Sequence, residues 1–106
     1  MEAVKQAIFQ IVADVIYRYH DADSYHHKSQ YFASLDNQSV IVIYISDDEP
    51  IAKYRTGIIV MAHIIDDSII IEADNTDRPL YEALMNAGIP REKIILAYAG
   101  EKLPSV

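Results

Sequence analysis

Apolar side chains in the first twenty residues recur at Val4, Ala7, Ile8, Ile11, Val12, Val15 and Tyr19, a spacing that predicts a helix over about residues 2–20. Phe9 and Ile16 fall beside that stripe and widen the apolar arc to roughly 200°, although a helix packed on one core needs only about 100°. The surplus is either covered by other parts of the chain or faces a partner. After the polar, turn-like stretch 20–28 the pattern becomes that of strands. Residues 29–35 form a mixed strand, Asp36-Asn37-Gln38 supply a turn, and residues 39–46 contain the unbroken run Val40-Ile41-Val42-Ile43-Tyr44-Ile45. Asp47-Asp48-Glu49-Pro50 ends that strand with charge and with a residue that cannot donate to a ladder. A second hairpin is predicted with arms at about 54–65 and 68–74. Its loop, Asp66-Asp67, tolerates positive φ less well than Asn-Gly would.

The helical spacing then returns. Thr76 or Asp77 can cap a second helix, Pro79 fits its first turn, and Leu80, Tyr81, Leu84 and Met85 give the apolar stripe. Gly88 in a left-handed conformation would end it, with Leu84 and Ile89 meeting across a Schellman cap and Pro90 blocking continuation. Residues 94–98 read as a last short strand and 99–106 as a polar tail. The order is α+β: an N-terminal helix, a four-stranded mainly antiparallel meander, a second helix and a short final strand, in one domain over residues 1–106. The pattern leaves the place of the fifth strand open. Residues 40–45, 58–62 and 69–71 are apolar on both parities, so both faces of those strands want cover. Two helices can shield one face well but hardly two. A second apolar face is therefore expected to meet a homodimer mate or another protein.

Composition sharpens this picture. The 106 residues include 17 Ile and 7 Val but only 5 Leu, which places most of the core in sheet. There is no cysteine, so thiol catalysis, disulfides and Cys-based zinc sites are excluded, and a reducing cytoplasm is the default location. The formal net charge of −7 argues against direct DNA or RNA binding, because neutralising phosphates needs a basic face. No basic leader precedes an apolar stretch and no run approaches the roughly 20 residues that span a bilayer, so no membrane contact is expected.

Candidate chemistry is sparse. His26 and His27 are adjacent and point apart on an extended chain, and neither His20 nor His63 has metal-site spacing around it. Glu72, Asp74, Asn75 and Asp77 lack the glycine and terminal glutamate of a calcium loop; Asp74 and Asp77 are better suited to holding the start of the second helix. No serine stands in a nucleophile motif, and Gly57, Gly88 and Gly100 build no phosphate loop. No metal or cofactor is expected, and the leading reading is a non-enzymatic accessory protein. A small metal-dependent hydrolase or nuclease subunit using Asp and Glu residues such as Asp74 and Asp77 is the alternative. Tyrosine is at home in protein interfaces, so Tyr17, Tyr31, Tyr44 and Tyr54 join Phe9 and Ile16 as candidate interface residues.

From the second hairpin onward the chain resembles a known family. Tyr54-Arg55-Thr56-Gly57, the stretch from Ala62 to Glu72, Asn75-Thr76-Asp77, and the run Asn86-Ala87-Gly88-Ile89-Pro90-Arg91-Glu92-Lys93 leading into Ile94-Ile95-Leu96-Ala97-Tyr98 are similar to the XisI family of excision-controlling factors associated with cyanobacterial DNA elements. The departures are Ile70 where a tryptophan is typical, Asn75 where a glycine is typical, and a shortened C-terminal segment. The resemblance implies an α+β protein that helps control site-specific excision of a DNA element. It would act with a companion factor and a recombinase rather than cut DNA itself, and no catalytic residues carry over.

Overall fold

The N-terminal apolar stripe folds as α1 (Glu2–His20) in the computed structural model, which describes residues 2–20, 27–36, 38–46 and 56–103. Four strands follow, β1 (His27–Ala33), β2 (Ser39–Ser46), β3 (Thr56–Ile65) and β4 (Ser68–Asp74), then α2 (Leu80–Asn86) and β5 (Ile94–Leu96). The architecture is the expected α+β order. The first strand begins two residues before the position its mixed pattern suggests, because pairing with the strongly apolar β2 sets its limits. The Asp47–Pro50 terminator and the start of the third strand at Tyr54 lie outside the described residues.

One sheet holds all five strands in the order β1-β2-β3-β4-β5. The first three pairings are antiparallel and β4 pairs with β5 in parallel, α2 providing the crossover that a parallel pair requires. Two bulges interrupt the registers. Val42 faces Val60 while Ile43 faces Ile58, leaving Ile59 as the extra residue; Met61 faces Ala73 while Ala62 faces Ile71, leaving Glu72 as the extra one. At the β3–β4 turn Asp66 has φ 56°, the left-handed conformation that the Asp-Asp loop accommodates less readily than Asn-Gly.

Both helices pack on the same face of the sheet. Phe9, Val12, Val15, Ile16 and Tyr19 of α1 and Leu80 and Leu84 of α2 share one cluster with Val40, Val42, Val60, Ala62, Ile64, Ile69, Ile71, Ile94 and Leu96. The start of α2 is fixed by Asp74, not by Thr76 or Asp77. Its Oδ2 accepts the Leu80 N–H at 2.7 Å, while Oδ1 accepts the Thr76 N–H at 3.1 Å and the Thr76 hydroxyl at 2.7 Å. The helix ends as its sequence requires. Gly88 has φ 103°, its N–H donates to the Met85 carbonyl at 3.0 Å, and the Ile89 N–H donates to the Leu84 carbonyl at 3.0 Å. The chain beyond β5 is tied back: the Leu96 N–H donates to Glu101 Oε1 at 2.8 Å and Arg91 donates to Glu101 Oε2 at 2.8 Å.

Candidate functional site

Residues that oppose each other across a ladder share a face, so the register defines what the second face of the sheet carries. Phe32 opposes Ile41, Ile43 opposes Ile58, Ile41 opposes Met61, and Ile70 opposes both His63 and Ile95. None of these residues belongs to the cluster packed under the helices. Phe32 is 51% and Ile58 38% exposed, Ile41, Ile43, Met61 and Ile95 are half-buried, and Ile70 is buried. The result is an apolar sheet face on which neither α1 nor α2 packs.

By the same register Gln30 and Ser39 also lie on that face, and its charged groups include one close pair. His63 Nε2 and Glu72 Oε2 lie 2.6 Å apart, the glutamate being the extra residue of the β3–β4 bulge. Glu72 lies two residues from Ile70 and therefore on the same open side, where its carboxylate meets the imidazole, and the bulge beyond it brings Ala73 opposite Met61 onto that side as well. Strand spacings of about 4.8 Å and rises of about 3.3 Å per residue give the five-stranded face a footprint of roughly 500 Å².

The candidate interface residues divide three ways. Phe9 and Ile16 are 8% and 0% exposed and sit in the core, so the broad apolar arc of α1 is covered by the chain itself, with the sheet and α2 sharing the task. Tyr17 and Tyr31 are brought together: Tyr17 is 47% exposed and its ring meets that of Tyr31 edge-on at 5.1 Å, with the His20 ring 5.3 Å away. Burial, and secondarily the nearby Asp14 carboxylate, holds the Tyr31 hydroxyl above its ordinary pKa, so it stays neutral and protonated at physiological pH. The Tyr44 side chain and Tyr54 lie outside the described residues. Phe32, Ile58, Met61 and Ile95 were missing from the candidates. Strands apolar on both parities signal that such a face exists, but two bulges hide which residues line it.

The groups that could do chemistry are otherwise engaged. Ser29 and His20 come within 2.8 Å at Oγ and Nδ1, yet the buried Ser29 hydroxyl donates to the His20 carbonyl at 2.5 Å. The hydroxyl proton thus fastens the end of α1 to β1 and is not offered to a base. Both oxygens of Asp74 are occupied by the α2 start, and Asp77 is exposed. Among the described residues no group of three or more His, Asp or Glu side chains could hold a metal ion, and no helix is long and apolar enough to cross a membrane. A cleft of about 410 Å³ opens between the end of α1 and the start of α2, with Arg18, Arg78, Asp77 and Glu82 in its lining. Its opposed charges mark no single ligand class.

Comparison with known proteins places this geometry. The family described as XisI protein matches residues 1–105. The fold is shared with the crystal structure of a XisI-like protein from Anabaena variabilis at 20% identity and TM-score 0.72, covering 83% of this chain and 81% of that one. It is shared as well with the fdxN element excision controlling factor XisI from Anabaena variabilis at 23% identity and TM-score 0.68, covering 89% of this chain and 92% of that one. No curated protein matches the chain.

Proposed function

Because this chain belongs to the XisI family, we propose that it is a non-enzymatic accessory factor in the control of DNA-element excision, working in the cytoplasm by binding a companion protein. The observation that carries this reading is the sheet face left open by both helices, with Phe32 and Ile58 exposed among half-buried isoleucines. Burying that face removes apolar surface from water at about 25 cal/mol per Å², a driving force of the kind that sustains protein association. The acidic balance of −7 keeps the chain itself off the DNA phosphates and leaves DNA contact to other components. A solved relative of this fold carries the description of an excision controlling factor, which supports the pathway assigned here.

Co-expression with the product of the adjacent gene tests the proposal. Wild-type chain co-purifies with that product at micromolar concentration, and Ile58→Lys or Ile43→Lys, each placing an ammonium group on the open face, abolishes the complex without unfolding the chain. Absence of any complex, or one indifferent to both substitutions, would overturn it.

A further inference from the structure

The two edges of the sheet are unlike. β5 is three residues long and closes into 3-10 turns on either side, Arg91–Lys93 before it and Ala97–Ala99 after it, a short edge of the kind that resists pairing with another chain. β1 is seven residues long, contains no proline, pairs with β2 without a bulge, and among the described residues has no strand on its outer side. Its sequence, HKSQYFA, holds none of the chain's 16 Asp and Glu residues. In a chain of net charge −7 that is where a second, equally acidic copy can approach without carboxylates facing one another across the ladder.

The edge is also flanked by aromatic surface on both sides of the sheet. Tyr17 and Tyr31 form an edge-on pair on the helix side, and Phe32, 51% exposed, projects on the open side. The Ser34 N–H donates to the Ser39 carbonyl at 2.9 Å, so Ser34 and Ser39 are a hydrogen-bonded pair of the ladder. In an antiparallel ladder such pairs alternate, and the backbone groups of Tyr31 and Ala33 therefore point away from β2.

We propose that β1 is a self-association edge: two copies pair their β1 strands antiparallel about a two-fold axis normal to the sheet, with Tyr31 opposite Tyr31 of the second copy. This is the isologous geometry of a cyclic dimer, and it joins the two sheets into one of ten strands. Gln30 of each copy then opposes Phe32 of the other, covering the exposed phenyl ring, and the two Tyr17–Tyr31 pairs meet on the helix side. A two-fold normal to the sheet keeps both open faces on the same side. Together they double the roughly 500 Å² footprint that one face presents. The self-association rests on the edge and stands whether or not the companion reading holds.

Sedimentation equilibrium of the full chain from 1 to 100 µM tests it, read beside two variants. Wild type sediments at twice its 12.0 kDa chain mass. Ala33→Pro removes an outward-pointing N–H without touching the β2 ladder, and Phe32→Lys puts charge at the aromatic rim; each raises the dimer dissociation constant at least tenfold, with the far-UV circular dichroism of a folded chain. Ile58→Lys, on the open face away from the edge, leaves the dimer intact while abolishing companion binding, so the two proposals fail separately. A monomer at 100 µM would overturn the edge assignment. So would a dimer that survives both edge variants, or one that Ile58→Lys disperses; if Ala33→Pro fails to fold, Phe32→Lys alone decides.

Discussion

On the helix side of the sheet, Val42, Val60, Ile69 and Ile71 are 0% exposed; on the opposite side Ile70 is buried too, but Ile58, two residues from Val60 on β3, is 38% exposed and Phe32 on β1 is 51% exposed. Both rows are built from the same β-branched and aromatic side chains. Their difference lies in what covers them, since α1 and α2 stack on one face and on each other. A side chain's character therefore sets its appetite for burial, and the count and placement of helices decide which appetite is met within the chain. The face left over carries the functional proposal.

The contrast is broken most severely by equalising the faces. Ile69→Ala, which empties a fully buried site, is expected to lower the unfolding free energy by about 3 kcal/mol, whereas Ile58→Ala on the open face costs less than about 1 kcal/mol; urea denaturation of the isolated chain measures both. Equal losses would mean that the open face is packed as tightly as the core. Asp74→Ala tests how firmly α2 is held over the covered face. It strands the Leu80 and Thr76 N–H groups and is expected to cost about 1–2 kcal/mol, read in the same titration.

These expectations also show where the sequence was informative. The helix end at Gly88 was legible because a left-handed glycine followed by Ile-Pro has one structural reading, and the Schellman bonds to Leu84 and Met85 bear it out. The α+β order and the doubly apolar strands were legible from residue spacing. The fate of Phe9 and Ile16 was not, because a 200° apolar arc on α1 fits either a partner or two neighbours of its own chain, and only the docking of α2 beside the sheet decides. Nor was the membership of the open face. The extra residues Ile59 and Glu72 shift side-chain parity in mid-strand, so alternation counted along β3 or β4 assigns the wrong face beyond each bulge. A cap at Thr76 or Asp77 places the start of α2 two to three residues too early, because the helix begins only at Leu80; of the two carboxylates suited to holding that start, Asp74 does so, reaching forward across the loop to the Leu80 N–H.

Smaller effects sharpen the comparison. The His63–Glu72 pair has side chains 25% and 38% exposed, and a double-mutant cycle with His63→Ala and Glu72→Ala should return a coupling of about 0.2–1 kcal/mol. A larger value would mean that the open face is drier than its exposure indicates. The smallest expected effect belongs to the exposed carboxylates near β5. The Glu101 carboxyl is held below its ordinary pKa by the Leu96 N–H and by Arg91, and that of Asp67 by Lys93. Depressed folded-state values mean stability that is fully present above the usual carboxylate range, about 3.9–4.3, and lost as pH falls through the folded values. Thermal unfolding of Glu101→Gln between pH 2.5 and 6 should therefore fall less steeply on the acid side than that of wild type.

The most direct test of the account is the heat-capacity change when the chain binds its companion, followed by titration calorimetry from 10 to 35 °C. If the open face is what the companion covers, the change is clearly negative for wild type, because apolar surface leaves water, and Ile58→Lys abolishes the binding heat. A complex that forms with a heat-capacity change near zero, or one that Ile58→Lys leaves unaltered, would contradict the claim that this sheet face is the docking surface.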